Sequence, residues 1–481
     1  MNIGSIINIT GRIVFVVGVL MLMPLLIAVF LKESTVLAFA AVSAGAVGLG
    51  ALSFRKRVKP GSIRAREGLV ITGLAWVVVS FVSALPFWIS GEIPSLLDAM
   101  FECVSGYTTT GSTILTDIEA LSKSSLFWRS FSHWIGGMGV LVFALALLPG
   151  EDTQSMHIMR AEVPGPTVGK LVSRIRVTAR LLYVIYMALT VIEIIFLLFG
   201  KMPFFDAVVT AFGTAGTGGF AIKNASIAAY NSAYIDAVIT VFMLLFSVNF
   251  NLFYLALIGD FKSVLKSEEL RWFFGVVAVA ILIITLNILP LYSGFFEAFR
   301  YSSFQVSSII STTGFVTANY DLWPTLSQTV LVCLMFIGAC AGSTGGGIKI
   351  YRFAVICKTG INSIRAQLFP RSVSAVKHEG KLLDDGVKNG ITGYMFAYIG
   401  IAGVSLVLLS LDSALNFTEV FTSMAACLNN IGPGLGKVGA VGNFAELSIL
   451  SKIVLMFDML AGRLELFPIL ALVFPATWKK G

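Results

Sequence analysis

Four carboxylates, each followed at a set distance by a glycine in a threonine- and glycine-rich turn, are the residues best suited to chemistry. The pairs are Asp98 and Gly111, Asp206 and Gly219, Glu297 and Gly314, and Glu419 and Gly432. The separation is identical in the first, second and fourth pairs and is longer by four residues in the third. Because four residues are close to one helical turn, the helix of the third copy is predicted to start one turn earlier.

Turns of this composition suit the binding of a monovalent cation. Non-helical backbone at membrane depth is tolerated only where it is buried in protein or lines a water-filled path. Several such turns around one axis present carbonyl groups that can replace the hydration shell of a cation, and glycine permits the backbone angles needed. One turn alone would be interpreted as an ordinary loop. Four in matched register favour a cation path, with the carboxylates raising the cation concentration at its mouth.

The composition places these turns in a membrane protein. Of the 481 residues, 57% are hydrophobic and only 12% are charged. A soluble domain carries about twice that charged share. Ten apolar runs are long enough to cross a bilayer. They lie near 12–31, 35–54, 68–90, 126–149, 180–200, 233–258, 272–292, 324–357, 390–411 and 447–475.

The distribution of charge orients these runs. Alternate connections are rich in basic residues, with 22 basic and 9 acidic residues in all, and lie at 55–66, 151–180, 260–271 and 349–388. The other connections carry 6 basic and 12 acidic residues, and lie at 91–125, 201–236, 293–323 and 412–452. Basic loops stay in the cytoplasm. Both termini are therefore predicted to be cytoplasmic, and the basic run 55–66 is explained by topology and lipid headgroups rather than by nucleic acid.

The predicted fold is an all-α polytopic membrane protein. Two N-terminal helices precede four repeats of helix, re-entrant pore loop and helix, arranged around one pseudo-fourfold pore. The predicted divisions are 1–66 for the two N-terminal helices, then 67–150, 151–260, 261–387 and 388–481 for pore repeats one to four. The third repeat has a broken second helix with a gating loop.

The motifs TTTGST, TAGTGGF, STTGFVT and NNIGPGLG resemble those of the Trk/Ktr/HKT superfamily of potassium transporters. Three further features are similar to the bacterial TrkH family in particular. They are the presence of two additional N-terminal helices, the motif GSTGGGIKIYRF at 342–353 and the motif GRLELFP at 462–468. The resemblance implies that the filter carbonyls come from Thr110, Gly111, Gly218, Gly219, Thr313, Gly314, Ile431 and Gly432. The fourth copy departs most from the pattern, so either Gly432 or Gly434 could be its filter glycine. The spacing favours Gly432.

A second constriction is predicted where the third post-filter helix is interrupted. The interruption comprises Gly342, Ser343, Thr344, Gly345, Gly346 and Gly347. A phosphate-binding loop is a poor fit, because Ile348 stands where that motif needs lysine. Gly345 follows Gly314 at the same distance along the chain as Arg463 follows Gly432, which predicts a similar depth below the filter.

We hypothesise that this segment and Arg463 form a gate, with Asn249 and Asn251 as polar lining. An arginine inside an apolar span is costly and usually faces a cavity, where its charge would repel a cation. The resemblance supports the same roles. The alternative is that Arg463 pairs with Glu465, Asp458 or a backbone carbonyl and merely holds helices together.

The residues predict passage of monovalent cations through one gated, channel-like pore, and the resemblance implies that the cation is potassium. A symporter coupling potassium to protons or sodium on the same scaffold stays open. K⁺ is the transported ion, and no bond-making site, organic cofactor or nucleic-acid partner is predicted. The resemblance implies residence in the bacterial inner membrane, a homodimer, and a cytosolic nucleotide-binding regulator that is TrkA-like and responds to NAD or ATP.

Overall fold

The computed structural model describes residues 3–55, 65–139, 175–369 and 375–479. Within these ranges the chain is helical apart from loops and one hairpin of two-residue strands, β1 (Lys377–His378) and β2 (Lys381–Leu382). The helical, membrane-type fold expected from the sequence is confirmed. The predicted boundary between 150 and 151, the end of the run 126–149 and most of the connections 55–66 and 151–180 lie outside the described residues.

Nineteen α-helices cover most of the described chain. They are α1 (Ile3–Leu20), α2 (Leu22–Leu31), α3 (Val36–Leu52), α4 (Ala65–Ser90), α5 (Leu96–Tyr107), α6 (Lys123–Gly137), α7 (Ile175–Phe199), α8 (Phe204–Ala215), α9 (Ala233–Phe246), α10 (Phe250–Leu257), α11 (Phe261–Lys266), α12 (Glu268–Ile288), α13 (Phe295–Ile310), α14 (Thr325–Ile337), α15 (Ile350–Leu368), α16 (Asp385–Leu409), α17 (Phe417–Leu428), α18 (Ile449–Arg463) and α19 (Phe467–Val473).

Several of these helices can cross a bilayer. Among the described residues five helical stretches are long and apolar enough, namely Ile3–Leu31, Arg66–Ser90, Arg180–Phe199, Glu268–Leu291 and Asp385–Leu409. Large apolar side chains on their outer faces, such as Leu282 and Phe396, are exposed. Outward apolar faces on long helices are what a lipid environment requires, so the chain is a multi-pass membrane protein.

Four short helices, α5, α8, α13 and α17, each precede one of the turns singled out in the sequence. Three have 12 residues, and α13 has 16, which accounts for the four extra residues between Glu297 and Gly314. The carboxylate of each repeat lies in the first turn of its helix, where negative charge complements the helix dipole. At α17, Asn416 and Glu419 form a reciprocal capping box.

The helices that follow these turns are broken more often than the sequence predicts. The run 233–258 reads as one helix in the sequence, but α9 and α10 meet at 93°. The run 447–475 reads as continuous, but α18 ends at Arg463, and Glu465 and Leu466 have left-handed backbone. The interruption expected at 342–347 is wider than predicted, because residues 338–349 all lie between α14 and α15.

These breaks satisfy one another's backbone groups. Residues 338–349, hereafter the glycine-rich loop, donate from Cys340 N to the Ser247 carbonyl (3.0 Å). Phe250 N in turn donates to the carbonyl of Gly342 (3.0 Å). Helix ends leave carbonyl and N–H groups without intrahelical partners, and an apolar interior supplies no water for them. The breaks in neighbouring helices are therefore stable together.

Close contact between α1 and α3 depends on a small residue. A Cβ atom at Gly50 would lie 2.6 Å from the backbone nitrogen of Phe15, whereas a Cβ at Gly48 would meet nothing within 4 Å. We expect Gly50→Ala to lower the apparent Tm of the detergent-solubilised protein, with overpacking costing about 1–3 kcal/mol. Gly48→Ala is the matched control and should leave the Tm unchanged or raise it, because alanine favours helix. Equal effects of the two changes would contradict this packing.

Candidate functional site

The four turns share one backbone conformation. Their glycines have positive φ angles, +83° at Gly111, +74° at Gly219, +83° at Gly314 and +102° at Gly432. The residue two positions before each of these glycines is also left-handed, and these residues are Thr109, Thr217, Thr312 and Asn430. Left-handed backbone is costly for residues with a side chain. Its repetition at four places indicates one structural requirement.

The turns contact each other in a closed ring. A Cβ atom at Gly111 would lie 2.1 Å from the carbonyl oxygen of Gly218, and one at Gly219 would lie 1.9 Å from that of Thr313. The remaining contacts close the circle, with Gly314 against the Ile431 oxygen (2.0 Å) and Gly432 against the Thr110 oxygen (2.7 Å). The structure thus brings all eight predicted filter residues together. We call the carbonyl oxygens of Thr110, Gly218, Thr313 and Ile431 the carbonyl ring.

The same hydrogen bond fixes each turn to the end of its short helix. The amide N–H of the residue before the glycine donates to the carbonyl five residues earlier, over 2.8–2.9 Å. The four bonds are Thr110 to Ser105, Gly218 to Gly213, Thr313 to Ser308 and Ile431 to Ala426. Within the described ranges, no residue donates a hydrogen bond to the oxygens of the carbonyl ring. These oxygens are therefore available to a ligand.

In the fourth turn, the two candidate filter glycines, Gly432 and Gly434, have different surroundings. Gly432 lies against Thr110, whereas Gly434 donates to the carbonyl of Val438 (2.7 Å) and packs against Thr422. Gly434 belongs to the loop behind the turn. The spacing shared with the first two copies favours Gly432, and the geometry places that residue against the Thr110 oxygen of the carbonyl ring.

The glycine-rich loop lies directly against two of the turns. Gly346 N donates to Thr312 Oγ1 (2.6 Å), and Gly347 N donates to the Asn429 carbonyl (3.1 Å). A Cβ atom at Gly345 would lie 2.8 Å from the carbonyl oxygen of Ser311. The loop therefore sits immediately behind the residues that lead into the third and fourth turns, with room only for glycine there.

Arg463 contacts this loop, as its equal spacing from the fourth turn suggests. Its guanidinium donates to the carbonyl of Thr344 (2.6 Å) in the loop, and to those of Gly136 (2.5 Å) and Gly137 (2.6 Å) at the end of α6. Glu465 pairs instead with Arg352. Arg463 thus joins the loop to the end of α6 through backbone carbonyls, which is one of the alternatives considered from the sequence.

The remaining predicted gate residues have local roles. Ser343 Oγ donates to the carbonyl of Cys340 (2.6 Å), within the loop. The Asn249 side chain accepts from the N–H of Asn251 (3.0 Å) and so caps α10. A Cβ at Gly342 would lie 3.1 Å from Asn249 Oδ1, so the cap also touches the loop.

Sequence reasoning missed two anchors of the loop. Glu269 is buried and accepts from Ala341 N (2.6 Å), and Lys349 donates to the carbonyl of Gly345. In the sequence both count only as charges of the connections 260–271 and 349–388. The signal available is their position, since Glu269 stands just before the apolar run 272–292 and Lys349 lies inside the run 324–357.

The carboxylates of the outer connections form ion pairs and hydrogen bonds that the sequence does not predict. Asp98 forms an ion pair with Lys452 (2.6 Å), and Asp206 accepts from the hydroxyl of Tyr230 (2.9 Å). At the exposed rim, Lys223 donates to Glu119 (3.0 Å) and lowers the pKa of that carboxyl, with help from the N–H of Asn224. These carboxylates therefore hold the outer loops together in addition to adding negative charge.

Comparisons with known proteins agree over the whole chain. The TrkH family, described as cation transport protein, matches residues 37–479. Proteins named Trk system potassium uptake protein TrkH from Salmonella typhimurium and Escherichia coli K12 are each 36% identical, with 100% of both chains covered. The crystal structure of the potassium transporter TrkH from Vibrio parahaemolyticus matches with a TM-score of 0.90 at 33% identity, again over 100% of both chains.

Proposed function

This chain belongs to the TrkH family of cation transport proteins, and on that premise we propose that it carries potassium across the bacterial inner membrane through a gated, channel-like pore. The relatives are named as potassium uptake proteins, that is, as transporters and not as enzymes. The observation that carries the proposal is the closed carbonyl ring, whose four oxygens accept no hydrogen bond from the described residues.

The carbonyl ring serves as the selectivity filter. A cation that loses its hydration shell needs replacement oxygens at fixed positions, and backbone carbonyls supply them without a full charge. The four short helices end immediately before their turns, so the partial negative charges at their C-termini add to the field at the ring. Thr110, Gly111, Gly218, Gly219, Thr313, Gly314, Ile431 and Gly432 form this site.

The short helices enter the membrane from outside and return as re-entrant loops. Residues 67–150, 151–260, 261–387 and 388–481 then form four repeats around one pseudo-fourfold axis, with both termini in the cytoplasm. The similar lengths of the short helices and the shared hydrogen bond of each turn support this division. The apolar outer faces support the lipid bilayer as the surrounding medium.

The glycine-rich loop and Arg463 form the gate. The loop is bonded to Thr312 and to the Asn429 carbonyl, both of which lead into the ring, so it lies across the path below the ring. Arg463 holds the loop through Thr344 and adds a fixed positive charge there. Opening requires the loop to release these bonds, and Gly342, Gly345, Gly346 and Gly347 give it the backbone freedom to do so.

Transport coupled to protons or sodium is the second candidate. Glu193 and Asp458 are carboxyl groups that are fully buried within the helical bundle, and such groups can bind protons.

A cytosolic TrkA-like regulator responsive to NAD or ATP, and assembly as a homodimer, are further parts of the proposal. Both rest on the resemblance to the family, which also implies that the regulator docks on the basic cytoplasmic face.

The filter is tested by adding one methyl group. In Gly314→Ala the Cβ would lie 2.0 Å from the Ile431 oxygen, at a φ angle that L-residues disfavour. We expect rubidium uptake into proteoliposomes to fall by about tenfold or more, since a strained turn costs roughly 1–3 kcal/mol. Gly294→Ala, at an open position near the start of the same helix, should transport normally. Normal rubidium uptake by folded Gly314→Ala would contradict the filter.

The gate is tested by removing the guanidinium. Arg463→Ala frees the Thr344 carbonyl and removes a positive charge, so basal potassium flux without any regulator should rise severalfold. The control Arg365→Ala removes an exposed charge from α15 and should leave the basal flux unchanged. If Arg463→Ala leaves both flux and gating as in the wild type, Arg463 only packs helices.

The two transport modes differ in their reversal potential. With potassium gradients of known size across proteoliposomes, a passive pore reverses at the potassium Nernst potential whatever the proton or sodium gradient. A symporter's reversal potential moves with the gradient of the coupled ion. A shift with the pH gradient would favour proton coupling and would be followed by testing Glu193→Gln and Asp458→Asn.

A further inference from the structure

We infer that the buried ion pair between Glu102 and Arg129 is a positioning device that sets ion selectivity by holding the first and second turns of the carbonyl ring to each other. Glu102 lies on α5 and Arg129 on α6, and their charged atoms are 2.5 Å apart. Their side chains are only 1% and 2% exposed. This inference rests on the proposed function.

Glu102 holds the chain just beyond the first turn. Its two carboxylate oxygens accept from Thr113 Oγ1 (3.0 and 3.1 Å), and one also accepts from the N–H of Ile114 (3.0 Å). These residues follow Gly111 by two and three positions. The carboxylate therefore fixes the exit of the first turn.

Arg129 holds the corresponding part of the second turn. Its Nη1 donates to the carbonyl of Ala221 (2.8 Å), and its guanidinium carbon lies 3.6 Å from the centre of the Phe220 ring. His133, one helical turn further along α6, accepts from Phe220 N at 3.4 Å and stacks on the same ring. These groups follow Gly219 directly, so one ion pair joins the exits of two neighbouring turns.

In the third and fourth turns, the N–H three residues beyond the ring glycine donates to a neutral acceptor. The position nine residues before the ring glycine is Glu102 in the first segment and Gln305 in the third. With its amide oxygen turned toward Thr317, Gln305 accepts from Thr317 N (2.8 Å) and Oγ1 (3.3 Å). In the fourth segment Thr422 Oγ1 accepts from Leu435 N (3.0 Å). A neutral acceptor is therefore sufficient to hold a turn to its own short helix.

The second segment explains why a charged pair is present. Its equivalent residue is Thr210, and the described hydrogen bonds that hold the turn exit come from α6 instead, through Arg129 and His133. A buried guanidinium is costly unless a carboxylate compensates it, and removing one partner of such a pair is strongly destabilising locally. Glu102 supplies that charge from the first segment, which couples the two turns.

The consequence for transport concerns the smaller cation. In the size-fit account of selectivity, a ring held at a set size coordinates dehydrated potassium, whereas a ring that can contract also coordinates sodium. Loosening the brace between the first two turns lets the Thr110 and Gly218 carbonyls approach each other. Selectivity for potassium over sodium should therefore fall before total transport is lost.

Glu102→Gln separates the two roles of the carboxylate. The amide oxygen can still accept from Thr113 and Ile114, as Gln305 does at its own turn, but the negative charge opposite Arg129 is gone. We expect the ratio of sodium to rubidium uptake in proteoliposomes to rise by about fivefold, a size typical of coupling between contacting groups. Glu119→Gln removes the exposed pair with Lys223, which bridges the same two outer connections, and should leave the ratio unchanged.

Arg129→Lys provides the second, independent variant. Lysine keeps the positive charge but loses the flat contact with Phe220 and one of the two simultaneous hydrogen bonds. The uptake ratio should shift in the same direction and by less. The yield and the Tm of every variant are measured alongside, because a purely structural role would lower both without changing the ratio.

Three outcomes are decisive. A raised ratio in folded Glu102→Gln, with Glu119→Gln unchanged, supports the inference. An unchanged ratio in folded Glu102→Gln overturns it, and if that variant does not fold, an unchanged ratio in Arg129→Lys overturns it. Absence of any cation uptake by the wild-type protein would contradict the proposed function instead, so the two failures are distinguishable.

Discussion

Backbone polar groups in an apolar interior must find partners, and this constraint governs the whole arrangement of the protein. Among the described residues, the helices that follow the second, third and fourth turns break within the bundle, and backbone groups at the break between α9 and α10 bond to the glycine-rich loop. Arg463 satisfies three carbonyls from two separate segments. Against this background of satisfied groups, the oxygens of the carbonyl ring stand out, because the described chain leaves them for a ligand.

The high glycine content follows from the same constraint. Gly111, Gly219, Gly314 and Gly432 adopt left-handed backbone and lie so close to a neighbouring carbonyl that a Cβ atom would overlap it. Glycines of the loop and of the helix contacts allow backbone to approach backbone elsewhere. A bundle of uninterrupted helices would need few such residues, whereas a ring of four non-helical turns needs them at every contact.

The positioning of the turns depends on side chains that have no single repeating pattern. The first and second turns share a buried ion pair, the third has Gln305, and the fourth has Thr422. Each segment is held by a different chemical group at a comparable place. The similarity of the four turns therefore lies in their backbone, and the side chains behind it are where the four segments can differ in stiffness.

The sequence by itself determined the membrane class, the four carboxylate-to-glycine spacings, and the closeness of Arg463 to the glycine-rich loop, because hydropathy, charge bias and helical rise are local and additive along the chain. It predicted too few breaks, since the kink between α9 and α10 is stabilised by Cys340 and Gly342 from a distant segment. From the sequence, Glu269 and Lys349 counted only toward the charge bias that orients the helices, and their contacts with the glycine-rich loop were not predicted. Only the tertiary structure decided which glycine lies against which carbonyl in the ring and which side chains brace the turns. These contacts join residues from separate segments, and no single stretch of sequence encodes their distance.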